Sequence, residues 1–160
     1  TITETVLGNA LIAATERGIG AVALAPSEDG LLDELQSEFP KAILNPVDDA
    51  DQVIAAPVRQ VAESLSGKQP SFAVELMGTA FQHKVWQALM TIPKGQTRSY
   101  AELAVSVGMP KAARAVARAC ASNKVAVLVP CHRIIRSDGS LGGYRWGLPL
   151  KKKILQLERA

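Results

Sequence analysis

The chain has 160 residues, 48% hydrophobic and 21% charged, enough to bury one ordinary core or two small ones without help from a metal or a disulfide. No apolar stretch approaches the roughly 20 residues of a membrane span, and the opening TITETVLGNALIAATERG lacks the basic-then-apolar plan of a signal peptide. A membrane protein is therefore excluded, and an intracellular location is expected, cytoplasmic in a bacterium or archaeon or else nuclear. The net charge of +3 hides a split: residues 1–70 carry 4 Lys/Arg against 11 Asp/Glu, and residues 71–160 carry 14 against 4. A basic half of that strength suits a polyanion, of which nucleic acid is the commonest, although a merely solvated basic face has the same composition.

The chain opens on Thr1 rather than a methionine, which fits a piece excised from a longer one. The first 25 residues read as hairpin strands, with apolar runs on either side of Gly8-Asn9 and a second turn at Arg17-Gly18. After the breaker cluster from Ser27 to Gly30, Leu31, Leu32, Leu35 and Phe39 repeat at helical spacing. A second helix is expected from Pro57 to Leu65, with Val58, Val61, Ala62 and Leu65 on one face. SFAVEL, residues 71–76, alternates and is read as a return to the sheet. Residues 1–76 thus form a small α/β scaffold domain, and no motif in it carries chemistry.

Residues 77–160 read as a second, mostly helical domain. Thr79 and Gln82 have capping-box spacing ahead of a helix carrying Phe81, Val85, Ala88 and Leu89, and the same spacing recurs at Ser99 and Glu102 before Leu103, Ala104 and Val107. Gly108 ends that short helix and Pro110 suits the first turn of the next. Two short helices across a Gly-containing turn make a helix-turn-helix candidate, a pattern that many helical hairpins share. On the second helix, KAARAVARACAS, the residues Ala113, Val116, Ala117 and Cys120 form the expected buried stripe, which makes Cys120 a core thiol. Lys111, Arg114 and Arg118 share the opposite side. That face lacks the Asn and Gln that commonly read base edges, so a slim alanine helix suits phosphate contact and close approach, as in a minor groove.

VLVPCHRII, residues 127–135, is an apolar run fit for a core strand, yet it carries Cys131, His132 and Arg133 in a row. A free thiol, with a pKa of about 8.5, is mostly protonated at neutral pH and needs a base to become a nucleophile. On a strand, adjacent side chains point to opposite faces, so His132 would reach Cys131 through a water. A third group should hold the imidazole, and the candidates in the basic half are Glu75, Glu102, Asp138 and Glu158. Chemistry alone leaves Cys131 either reactive or a plain buried thiol. RSDGSLGGYRWG, residues 136–147, follows with four glycines; it reads as a loop in which Tyr144 and Trp146 wall a flat ligand, or as a surface hairpin of the kind called a wing. LPLKKKILQLER closes the chain as a helix with Leu150, Ile154 and Leu157 inward. The sequence has no C-x-x-C or H-x-x-x-H spacing, and no Cys or His precedes His83, so no metal site is expected.

Taken together, PCHR at 130–133 preceded by Asn123, the GGYRWG that follows, and SYAELAVSVGMPKAARAVARACASNK upstream resemble the O6-alkylguanine-DNA alkyltransferases, or methylated-DNA–protein-cysteine methyltransferases. The likeness runs from Thr79 to Glu158 and is strongest to the C-terminal module of bacterial Ada proteins. It implies an α/β fold, with a small ribonuclease-H-like N-terminal domain and a mostly helical, winged helix-turn-helix-like C-terminal domain. It also implies direct-reversal DNA repair, in which Cys131 takes the alkyl group from O6-methylguanine, with O4-methylthymine as a further candidate substrate, in one irreversible turnover.

By the same resemblance His132 activates Cys131 through water, Glu158 orients His132, and Tyr100 assists the leaving guanine. Asn123 is the hinge between the helix-turn-helix and the acceptor segment. The second helix lies in the minor groove and Arg114 enters the stack in place of the flipped base, with Lys111, Ala112, Ala113 and Arg118 against the DNA. Ser137, Gly139, Gly142, Gly143, Tyr144, Arg145 and Trp146 line the base pocket, where the Trp146 indole is expected to leave room only for small alkyl groups. The partner implied is alkylated double-stranded DNA met by a monomer, with no cofactor. Two rivals are a non-catalytic alkyltransferase-like binder, which Cys131 argues against, and a Cys-His hydrolase, in which the basic helices have no role.

Overall fold

Three apolar runs near the N-terminus pair as antiparallel strands in the order β1 (Ile2–Thr5), β2 (Gly8–Thr15) and β3 (Gly18–Ala25), with a register shift between Ala13 and Ala14. The computed structural model describes residues 1–65 and 73–160. The turns fall slightly earlier than the glycines suggest. Thr5 pairs with Gly8, so Val6 and Leu7 make the first turn, with the Thr5 hydroxyl accepting from the Leu7 N–H; Gly8 and Asn9 already belong to β2.

Alternation gives this sheet two buried faces. Leu11 and Ala21 meet Leu31 and Leu35 of α1 (Leu31–Glu38), with Phe39 packed alongside; Leu32, expected inward, is exposed. Ile12, Val22 and Leu24 are buried on the other side, and Ala55, Val58 and Val61 are the buried residues of α2 (Gln52–Ser64), which packs on β2 and β3. That helix begins five residues before Pro57, because the Asp51 side chain caps it by accepting from the Val53 N–H. Pro57 lies inside the helix, where it removes one N–H from the ladder. Of the expected return strand, Ser71 and Phe72 lie outside the described residues, and Val74 makes a single parallel bridge to Ile19.

The chain separates into two compact units, Thr1–Leu76 and Met77–Ala160. The second unit begins with α3 (Ala80–Met90), opened by the Thr79–Gln82 capping box. Trp86 on α3 is buried and donates its indole N–H to the Ala119 carbonyl at 2.9 Å, tying α3 to the helix that carries Ala119. A second capping box at Ser99 and Glu102 starts α4 (Tyr100–Ser106), and Gly108, at φ +76°, ends it. Pro110 and Lys111 form a turn rather than a first helical turn, and α5 runs only from Ala113 to Ala121 with Ala112 as its N-cap. The short strands β4 (Arg98–Ser99) and β5 (Ile134–Ile135) pair in parallel, and α6 (Leu148–Arg159) closes the unit. Among the described residues no helix is long and apolar enough to cross a membrane.

Gly78 shows how tightly α3 is seated. A Cβ at that position would lie 2.5 Å from Trp86 Cη2 and 2.6 Å from Gln82 Oε1, so the residue before the cap must stay bare. Gly78→Ala should cost about 1–3 kcal/mol by overpacking. Urea unfolding monitored by tryptophan fluorescence measures the loss, and a midpoint equal to that of the parent would show that the indole can give way.

Candidate active site

The apolar run before Cys131 is not a strand. Residues 126–128 are turns, Val127 has φ +67°, and Cys131–Arg133 form one turn of 3-10 helix. A β-branched residue in that region is strained by about 1–3 kcal/mol, and the Asn123 side chain is what holds it. Asn123 is 1% exposed; its Oδ1 accepts from the Val125 N–H at 2.9 Å and its Nδ2 donates to the Val129 carbonyl at 2.9 Å, bracketing the turn. The same Nδ2 lies 3.2 Å from Cys131 Sγ, so the amide that shapes the backbone also donates to the thiol. The tight turn, rather than strand alternation, fixes where Cys131 and His132 point.

Behind the thiol stands a buried charge cluster. His132 Nε2 is 2.9 Å from Glu158 Oε1, and Glu158 also accepts from Arg133 Nη2 at 2.7 Å and Nε at 3.0 Å. Arg133 Nη1 donates to the Ile92 carbonyl at 2.6 Å, so one guanidinium joins α6, the Cys131 turn and the end of α3. Of the four carboxylates that sequence left open, Glu158 is the one that meets the imidazole. Burial would raise its pKa, yet the hydrogen bonds and charges of His132 and Arg133 outweigh that and pull it down to about 2. Burial lowers the His132 pKa, with Glu158 opposing, so the ring is neutral at neutral pH. With Nε2–H given to a carboxylate, the lone pair is on Nδ1, which is buried and has no protein partner. Burial pushes the Cys131 thiol up, against the pull of the Asn123 hydrogen bond, Lys151 and Arg145.

Cys131 opens on a cavity of about 480 Å³ walled by Tyr100, Gly143, Tyr144 and Arg136 on the loop side and by Ala113, Arg114 and Ala117 of α5. Arg145 lines it as well; its guanidinium lies 5.8 Å from the Trp146 ring centre. Ser137, Gly139, Gly142 and Trp146, expected in the wall, are not among the lining residues. Trp146 packs edge-on against Tyr144, which does line the cavity, with ring centres 5.4 Å apart. Gly142, at φ +68°, sits behind Tyr100, where a Cβ would come within 3.1 Å of the phenol oxygen. Burial, then the charges of Cys120 and Cys131, raise the Tyr100 pKa, which keeps its proton available for donation.

On α5 the buried arc is Val116, Ala119 and Cys120, rotated from the expected stripe; Ala113 and Ala117 are only half-buried and border the cavity. Lys111, Arg114 and Arg118 are exposed, with Lys111 in the preceding turn. Cys120 is buried, as expected of a core thiol, but it also lines the cavity, and burial raises its pKa to about 12. On α6 Ile154 is buried as expected and Leu150 half-buried, whereas Leu157 is exposed and Lys151, at 0% exposure, is buried instead. Among the described residues no cluster of His, Cys, Asp and Glu could hold a metal.

A buried thiol, a neutral imidazole oriented by a carboxylate, and a cavity bordered by a basic helix are the parts that a cysteine nucleophile facing an outside ligand needs. A family model described as 6-O-methylguanine DNA methyltransferase, DNA binding domain, matches residues 80–160. The chain is 48% identical over 154 residues to the bifunctional transcriptional activator/DNA repair enzyme Ada of Escherichia coli, which covers 95% of this chain and 43% of that protein. It is 45% identical over 149 residues to the methylated-DNA–protein-cysteine methyltransferase of Methanosarcina barkeri, covering 89% of this chain and 93% of the relative. The crystal structure of Mycobacterium tuberculosis O6-methylguanine methyltransferase matches with a TM-score of 0.76 at 31% identity, covering 99% of this chain and 90% of that one. This chain belongs to the 6-O-methylguanine DNA methyltransferase family. It spans a little under half the length of the Ada proteins it matches.

Glu158 carries a pH dependence. Because its folded pKa lies below its ordinary 4.5, its contribution to stability is complete above pH 4.5 and is lost as the pH falls toward about 2. The melting temperature should drop through that window and drop less in Glu158→Gln, read by circular dichroism at several pH values; equal slopes would remove Glu158 from the acid transition.

Proposed function

We propose that this chain repairs alkylated DNA by direct reversal, taking the alkyl group from O6-methylguanine in duplex DNA onto Cys131 in a single turnover. The observation that carries this reading is Cys131 Sγ on the cavity, with His132 and Glu158 behind it and Arg114 at the edge of α5. The names of the relatives support it, and one similar structure, at 29% identity and a TM-score of 0.71, is that of Mycobacterium tuberculosis OGT in complex with DNA. Acting on DNA gives the protein an intracellular place. The unit Met77–Ala160 is the DNA-binding and alkyl-acceptor part, and Thr1–Leu76 the scaffold.

In the proposed reaction the Cys131 proton passes through a water to His132 Nδ1, and the resulting imidazolium is stabilised by Glu158. The thiolate forms a bond to the alkyl carbon as the bond from that carbon to O6 breaks. Its electron pair stays with the guanine, which takes a proton at its ring with help from the Tyr100 hydroxyl. Duplex DNA hides O6, so the base must first leave the stack, with Arg114 taking its place and Lys111, Ala112, Ala113 and Arg118 against the backbone. A thioether has no easy leaving group, so the product is final. A non-catalytic binder would bind the same DNA and gain no mass.

Incubation with a methylated duplex should add one CH2 to Cys131, one per molecule, seen by peptide mass spectrometry. Cys131→Ser should abolish transfer with DNA binding kept, and Cys120→Ser should still transfer. A methyl group on Cys120, or turnover beyond one equivalent, would overturn the assignment.

Arg114→Ala should slow reaction with duplex DNA at least about tenfold more than reaction with free O6-methylguanine, since only the duplex needs a base held out of its stack. The ratio of the two rate constants is the measurement, and equal losses would give Arg114 a structural role instead.

A further inference from the structure

Lys151 is the largest of the fully buried side chains, and the reaction proposed above gives it no part. An ammonium in a dry interior is costly unless its N–H groups find acceptors. Here three carbonyls converge on Nζ: Ile134 on β5 at 2.5 Å, Gly143 at 3.1 Å, and Leu141. They come from two segments. Ile134 follows directly on the Cys131–Arg133 turn, while Leu141 and Gly143 belong to the Gly-rich loop that walls the cavity. Three rotatable donors on one nitrogen suit that arrangement; a planar guanidinium does not, and a thioether has no donor at all.

The partners of Lys151 are carbonyls rather than a carboxylate, so its positive charge is not cancelled on the spot. That charge acts on three groups of the site. It helps draw the Cys131 thiol down against burial, does the same for Cys120, and adds to the burial that keeps His132 neutral. In return Cys131 and Cys120 hold up the Lys151 amine, which burial brings to about 8. The loop it fastens also reaches Tyr100, whose hydroxyl has a backbone hydrogen bond from Gly143.

We propose that Lys151 is a positioning residue for the transfer, its buried ammonium fastening the Gly-rich loop to β5 and supplying the positive charge against which Cys131 ionises. This rests on Cys131 being the acceptor.

Two measurements test it, both without DNA and both in Cys120→Ser protein. In the first, the pH dependence of Cys131 alkylation by iodoacetamide is followed by mass spectrometry. Lys151→Met should raise the midpoint by about one unit, which corresponds to an about tenfold lower thiolate fraction at pH 7. The second needs no change at Lys151. The ammonium is titrated by NMR in protein labelled with 13C at lysine Cε, before and after Cys131 is capped by methyl methanethiosulfonate. Coupling is reciprocal, so removing the thiolate should lower the Lys151 pKa by about half a unit or more. If Lys151→Met fails to fold, the NMR titration decides alone. A folded Lys151→Met variant with the parent midpoint, or a Lys151 titration indifferent to capping, overturns the proposal. A shifted midpoint in a protein that takes no alkyl group from DNA would leave the coupling standing and defeat only the repair function.

Discussion

The site depends on one buried amide. Asn123 stands just beyond the end of α5, and its side chain brackets the turn that brings Val127 into a left-handed conformation and Cys131 to the cavity. A strand would need no such side chain; a tight turn in the core does, because its backbone groups cannot all pair with one another and unpaired ones cost about 1–3 kcal/mol each. Asn123 meets that need and spends its remaining reach on the Cys131 sulfur. The residue just beyond α5 is therefore tied to the Cys131 turn by its own side chain, with both of its polar atoms engaged.

Around this amide the charges are arranged in two layers. Glu158 is held between His132 and Arg133, so the charge of this carboxylate is balanced by the Arg133 guanidinium. The other layer is cationic: Arg114, Arg136 and Arg145 border the cavity, and Lys151 lies beneath the loop. A neutral base and an excess of positive charge are what a buried thiol needs, since burial by itself favours the protonated form.

Sequence made some of this legible and hid the rest for physical reasons. The capping boxes at Thr79 and Ser99 are local, four residues long, and form as read. The thiol and imidazole of the candidate site were visible because Cys, His and Arg in a row are foreign to a core. The turn at residues 126–128 was not, since the apolar pattern of Val125 to Val129 is that of a strand and the side chain that bends it stands outside the run. On α5 the alanines blur the stripe: Ala113, Ala117 and Ala119 are equally apolar, so only tertiary contact decides which of them is covered. Lys151 was missed for the plainest reason, that an amphipathic reading sends every lysine to solvent. Three converging carbonyls from segments distant in sequence are invisible to periodicity.

Cys131 is 5% exposed, and burial keeps its pKa high. Peroxides and most stray electrophiles attack thiolates, and they attack accessible ones fastest. In the proposed single-turnover reaction the protein is a stock rather than a machine, and each molecule spoiled before it meets damage is subtracted from that stock. Under that proposal, keeping the sulfur buried, where its protonated form is favoured, serves as preservation and lengthens the useful life of every idle molecule.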